Sequence, residues 1–228
     1  MPRAAAGSAI IRASWPPPIT ATVGASGTGG PYPAIPTLSS VPRFTRAELD
    51  AFRGAVVPDL VGDGVRLLFV GINPGLWTAA VQTHFAHPAN RFYPALLAAG
   101  IIERPIDPAA GMTDADRAYF VGRGLGITNL VARASARADE LSTAELRDGG
   151  ARLVERVEAW RPAVVAVAGI TAYRAAFGAR KATVGRQPDP LGHSELWVVP
   201  NPSGLNAHDT VATLATAYRA AAEAAGVV

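Results

Sequence analysis

Three short apolar runs decide what this chain can fold into: VRLLFVG (Val65 to Gly71), AVVAVAG (Ala163 to Gly169) and LWVVP (Leu196 to Pro200). Each is too short for a buried helix and too evenly apolar for a strand with one wet face. Each therefore reads as a strand covered on both sides. The stretches between them carry apolar residues at helical spacing. Doubly covered strands separated by helices predict an α/β domain, a three-layer α/β/α sandwich around a short, mainly parallel central sheet. In such sheets ligands bind beyond the carboxyl ends of the strands, so chemistry is to be sought in the residues that follow each run.

The helices are marked by their starts. Thr45 with Glu48, and Ser142 with Glu145, match the capping-box pattern. The helix opened by Ser142 should reach about Trp160, with Leu146, Leu153, Val154, Val157 and Trp160 on its buried face. HPANRFYPALLAAG leads into a helix closed by Gly100, and Thr113 caps another that reaches about Phe120. GITNLV (Gly126 to Val131) reads as a short strand or strand-like loop, and TAYRAAFG as a short helix. A final helix begins near Asp209, with Val211, Leu214, Tyr218 and Ala222 facing the core.

Residues 1–42 differ from the rest: they are rich in Pro, Gly, Ser and Ala, and no acidic residue precedes Glu48. Such a composition buries too little apolar surface to offset its ordering entropy, so disorder is expected there, with one folded domain over residues 43–228. The segment reads as a basic arm that helps hold a phosphate-bearing partner, as an inert extension, or as residues upstream of the true start codon.

Composition narrows the chemistry. The absence of cysteine excludes disulfides and thiolate metal sites, and His84, His87, His193 and His208 fit no metal-motif spacing. No metal or organic cofactor is expected. No phosphate-binding glycine motif follows any strand, which argues against a nucleotide-binding enzyme. No uninterrupted apolar stretch reaches about 18 residues, and no basic-then-apolar leader opens the chain, so neither a membrane span nor a secretory signal is expected. A cytoplasmic protein follows. The net charge of +3 and pI near 9.7 suit a phosphate-bearing partner without demanding one.

The first strand stops abruptly at GINPG, where Asn73 disfavours a strand and cannot titrate. A Pro-Gly turn explains the stop; a working amide at a strand end explains it equally well. NPSGLN (Asn201 to Asn206) repeats the Asn-Pro turn after another strand, at the same edge of the sheet.

Together with HFAHPANRFY (His84 to Tyr93), these segments resemble, in order and separation, the mismatch-specific uracil- and thymine-DNA glycosylases of the uracil-DNA glycosylase superfamily. The likeness runs on through GITNLV and LSTAELRDGGARLVERVEAWRP to LWVVPNPSGL, and covers roughly Val65 to Tyr218. It implies a uracil-DNA glycosylase-like fold and a protein that acts on double-stranded DNA containing uracil or mismatches, nucleoid-associated when acting; a monomer is expected. Such an enzyme flips a nucleotide out of the stack into a pocket.

The resemblance also implies roles. Asn73 takes the place of the residue that positions the attacking water. Phe85 matches the aromatic platform for the flipped base, with a plain core Phe as the bland alternative. Backbone groups of Ile72 and Phe85 meet the uracil edge. Asn129 matches a base-edge contact of the eukaryotic branch, or is a turn residue; bacterial relatives often have Lys there. Asn201 stands where more active members have a His that stabilises the anionic base. Ser203, Gly204, Leu205 and Asn206 form the loop that enters the minor groove, with Leu205 as wedge.

Ala207 replaces an Arg of the bacterial relatives, and Asn206 or His208 is a candidate substitute for it. His87, Pro88, Asn90 and Arg91 look like a structural clamp. His84 is expected at a solvent-exposed turn, with the pocket mouth as the alternative. Arg180, Lys181 and Arg186 form either a phosphate contact or a solvated cluster. The only lysine of the chain is Lys181, so no Schiff-base lyase step is expected. The reading is a monofunctional glycosylase that hydrolyses the bond to uracil, preferentially opposite guanine, leaving an abasic site. Its alternatives are a base preference shifted to xanthine, hypoxanthine or exocyclic cytosine adducts, and a lesion-binding protein without chemistry.

Overall fold

The strands that the apolar runs predict pair in the order β2-β1-β3-β5-β4 in a computed structural model, which describes residues 41–228. They are β1 (Leu67–Gly71), β2 (Leu125–Asn129), β3 (Val164–Ala168), β4 (Gly185–Arg186) and β5 (Glu195–Val199). All pairings are parallel except the short β4–β5 one. Alternation along each strand feeds two cores. Leu67, Phe69, Val164, Ala166 and Val199 face one layer, and Leu68, Val70, Val165, Val167 and Val198 face the other.

The first layer consists of α3 (Phe92–Ala98), α4 (Asp114–Gly122) and α7 (Val211–Ala224); the second of α5 (Thr143–Trp160) and α6 (Ile170–Phe177). Two short helices, α1 (Arg46–Asp50) and α2 (Leu76–Ala80), complete the seven among the described residues. The three-layer α/β/α reading therefore holds. No helix among the described residues is long and apolar enough to cross a membrane. The expectation of disorder over residues 1–42 lies, but for its last two positions, outside the described residues.

Thr45, Thr113 and Ser142 each form the reciprocal capping box that satisfies the orphan N–H groups at a helix start. In α5, Leu153 and Val157 turn inward but Val154, expected on the same face, is 38 % exposed. One step along a helix rotates a side chain by about 100°, so Leu153 and its immediate neighbour cannot share a face. The inward face also uses Gly149, where an added Cβ would run into the Leu130 carbonyl. In α7, Leu214, Tyr218 and Ala222 are buried as expected, while Val211, at its first turn, is half-buried.

β2 ends two residues earlier than GITNLV suggests. Leu130 and Val131 still donate their N–H groups to the Gly71 and Ile72 carbonyls at 2.9 Å, so the chain leaves the ladder hydrogen-bonded to the end of β1. A segment with no sequence signal guards the far edge of β2, where Leu60 exchanges backbone hydrogen bonds with Ile127.

The sheet runs outward from β1 to β2, then resumes on the other side of β1 with β3. That reversal opens a crevice beyond the carboxyl ends of β1 and β3, where doubly wound sheets bind their ligands. Asn73 follows β1, Asn129 ends β2, Gly169 follows β3 and Asn201 follows β5.

Candidate active site

Asn73 is half-buried, and its amide is tied down on one side. The nitrogen donates to the Pro74 carbonyl at 3.2 Å, the Arg133 carbonyl at 3.1 Å and the Ser135 hydroxyl at 2.8 Å. Ser135 is 1 % exposed and spends its own proton on the Arg137 carbonyl at 2.7 Å, so it can only accept from Asn73. These acceptors fix which end of the amide is nitrogen. They leave Oδ1 with no donor among the described residues, as a lone acceptor at the strand end. The Arg133 carbonyl is held in turn by its side chain, which grips Glu145 in α5 with contacts of 2.5 and 3.1 Å.

Phe85, Asn129 and Gly71 converge at the ends of β1 and β2, where Gly71 and Asn129 are register partners. A Cβ on Gly71 would lie 3.2 Å from Phe85 Cζ and would overlap Asn129 Oδ1, so only glycine leaves room there. The Phe85 ring is half-buried and stacks on Phe92, with centroids 4.1 Å apart and planes at 25°. Its backbone sits at φ +55°, a left-handed conformation that a bulky side chain adopts only when its surroundings hold it. Part of that hold is Tyr93, whose hydroxyl donates to the His84 carbonyl at 3.0 Å. Burial pushes the Tyr93 hydroxyl far above its ordinary pKa, so it stays a donor. In a trans peptide the Phe85 N–H points away from that carbonyl, to the side opposite Tyr93.

His84 is 4 % exposed, where a solvent-exposed turn was expected. Its Nε2 lies 2.9 Å from the Pro58 carbonyl and its Nδ1 lies 3.1 Å from the Asn129 amide nitrogen. Pro58 belongs to the unforeseen segment along β2, so nothing local in THFAHP marks this histidine as internal.

Asn201 is half-buried, and its Oδ1 accepts from the Ser203 N–H at 3.0 Å, which leaves its NH2 as the outward end. Its carbonyl accepts from the Asn206 amide at 2.9 Å; the same amide donates to Asp209 at 2.7 Å, and Asn206 Oδ1 accepts from the His208 N–H at 3.1 Å. Asn206 thus ties the loop together from within. Gly204 packs on the chain itself: a Cβ there would meet the Ala89 carbonyl at 2.7 Å. Leu205 projects from this loop at 84 % exposure, far more than any other large apolar residue described.

Arg91 holds the loop from behind. Its guanidinium donates to the carbonyls of Ser203, at 2.7 Å, Asn206, at 2.5 Å, and Asp209. Asn90 caps Phe92 through its Oδ1 at 2.9 Å, and His87 Nδ1 accepts from the Ala89 N–H at 3.1 Å. Ile72 packs against Gly169 and Asn201 across the crevice: a Cβ on Gly169 would lie 3.4 Å from Ile72 Cδ1 and 3.8 Å from Asn201 Cβ. Arg180, Lys181 and Arg186 line a separate cleft with Tyr173 and Asp189, and Arg186 pairs with Glu195 at 2.8 Å. Sequence reasoning did not reach Ser135, Gly71 or the Pro58 carbonyl; only Gly71 sits inside a recognisable motif.

A doubly wound sheet with three asparagines and a supported aromatic ring at its carboxyl edge defines an α/β protein whose candidate site lies at the strand ends. Residues 58–223 match the model of the uracil DNA glycosylase superfamily, and the chain belongs to that family. Its activity is of the uracil-DNA glycosylase type, a hydrolase acting on DNA in repair.

Proposed function

We propose that the protein is a monofunctional glycosylase that hydrolyses the N-glycosidic bond of uracil in double-stranded DNA, preferentially opposite guanine, and leaves an abasic site. The observation that carries this reading is the anchored Asn73 amide, with Oδ1 turned away from its three acceptors. An amide oxygen accepts a hydrogen bond from water and so aims it, but it is too weak a base to remove a proton. Acceleration then rests on positioning and on stabilising the departing base anion. The outward NH2 of Asn201 and the Phe85 N–H are donors of the kind that anion needs. Water supplies OH to C1′ and a proton that ends on the base or in solvent.

Phe85 offers the stacking surface, worth about 1–3 kcal/mol per base. The exposed Leu205 suits a wedge that replaces the flipped nucleotide. Preference for guanine mismatches follows from weak activation: a site without a strong base works best on a good leaving group whose pairing is already loose. The only lysine, Lys181, lines the separate cleft, so the pocket holds no lysine amine to attack C1′.

Single-turnover base release tests this, with duplexes carrying uracil opposite guanine, uracil opposite adenine and thymine opposite guanine, and with single-stranded uracil. Uracil opposite guanine should be fastest, and strand cleavage should appear only after alkali. Equal rates opposite guanine and adenine would remove the mismatch preference, and spontaneous strand cleavage would remove the monofunctional assignment.

A further inference from the structure

The Asn129 amide has a direction, and His84 sets it. Nε2 of His84 faces the Pro58 carbonyl, which can only accept, so Nε2 carries a proton. In a neutral imidazole the other nitrogen is then an acceptor, and it faces the Asn129 amide at 3.1 Å. That amide must turn its NH2 to Nδ1. Its Oδ1 is then directed over Gly71 and beside Phe85, and accepts no hydrogen bond among the described residues.

We propose that His84 is a positioning residue that fixes Asn129 with its carbonyl oxygen toward the base pocket, restricting the pocket to bases that present a ring N–H on that edge. This rests on the reading of the pocket as a base-binding site. Uracil, thymine, hypoxanthine and xanthine share such an N–H; cytosine presents a bare ring nitrogen there, which meets the Asn129 oxygen lone pair to lone pair. The device answers a problem particular to an amide: rotated by half a turn it reads the opposite pattern, so an unsupported asparagine has little selectivity.

The neutral state of His84 is part of the device. An imidazolium would donate from both nitrogens and demand the Asn129 oxygen, reversing the amide. Burial opposes that charge and lowers the pKa of His84. The Asp59 carboxylate and the Pro58 carbonyl favour the charge, and the Arg117 guanidinium opposes it. The amide therefore keeps its direction as the pH falls below the ordinary histidine range.

The test compares wild type, His84→Leu and His84→Gln. Leucine removes both ring nitrogens. Glutamine restores the pattern, because its oxygen can accept from Asn129 while its NH2 donates to Pro58. Binding is measured on duplexes that carry a non-cleavable 2′-fluoro uridine or 2′-fluoro cytidine opposite an abasic-site analogue, so that base pairing does not contribute. His84→Leu should reduce the uracil-to-cytosine binding ratio by about tenfold, the scale of one hydrogen-bond discrimination, and His84→Gln should restore most of it. A purely structural role would weaken both duplexes together and leave the ratio unmoved, and that result would overturn the proposal. Imidazole 15N spectra of the wild type should show His84 as the neutral Nε2–H tautomer at pH about 7. A protonated Nδ1 there would overturn it as well. A wild type that binds neither duplex would overturn the base-pocket reading itself, and this proposal with it.

Discussion

The Asn73 amide nitrogen donates to the Ser135 hydroxyl at 2.8 Å, and the bond runs only in that direction because the hydroxyl proton is committed to Arg137 at 2.7 Å. The same logic recurs at the other two asparagines of the site. The Ser203 N–H claims the oxygen of Asn201, and His84 claims the nitrogen of Asn129. None of the three amides titrates, yet each is turned to present one chosen end.

Ser135→Ala leaves the pocket shape intact and removes one of three acceptors that hold Asn73. A hydrogen bond of this kind contributes about 1 kcal/mol, so the single-turnover rate on uracil–guanine duplex should fall about tenfold or less, with little change in DNA affinity. An unchanged rate would mean that the two carbonyls alone set the amide.

Gly71→Ala inserts a methyl group between Phe85 and Asn129. Loss of the stacking position corresponds to about 1–3 kcal/mol, so affinity for DNA with a non-cleavable uridine should drop by about 5- to 150-fold, while affinity for undamaged duplex holds. Circular dichroism of the variant checks that the sheet survives. Unaltered uridine binding would place the base elsewhere.

Leu205→Ala should be silent in thermal unfolding, since a side chain at 84 % exposure supports nothing in the fold. Its effect should appear in base release, larger on a well-paired uracil–adenine duplex than on a uracil–guanine one, and absent on single-stranded uracil. A uniform loss across all three substrates would argue against a wedge.

Acid should loosen the support of Asn73. The Arg133 side-chain hydrogen bonds, followed by those from Ser142, hold the Glu145 carboxyl at about 2, below its ordinary 4.5. A group whose pKa is depressed by folding contributes stability that is complete above the unfolded value and lost as the pH falls through the folded one. The stability advantage of wild type over Glu145→Gln should therefore shrink from pH about 4.5 toward about 2. Urea midpoints measured across that range check it, and an advantage that grows with acid would contradict it.

The sheet was legible because Leu67–Val70 and Val164–Ala168 advertise burial on both faces, and the capping residues Thr113 and Ser142 mark where their helices start. Asn73 was legible as a strand end. What the sequence does not display is which end of an amide faces outward, because partners from distant parts of the chain decide it. Ser135 approaches Asn73 across 62 positions, and Pro58 reaches His84 across 26 from a segment without periodicity. The burial of His84 was missed for that reason. Arg91 was legible as structural, but its grip on carbonyls more than 110 positions away emerges only with the loop in place.

The most direct measurement is base release from a uracil–guanine duplex under single-turnover conditions, with wild type and Asn73→Ala run side by side and DNA affinity determined for each. Removing the group that aims the water should slow release by about 100-fold or more, while affinity changes by no more than about threefold. Equal rates for the two proteins would contradict the central claim that the anchored Asn73 amide positions the attacking water.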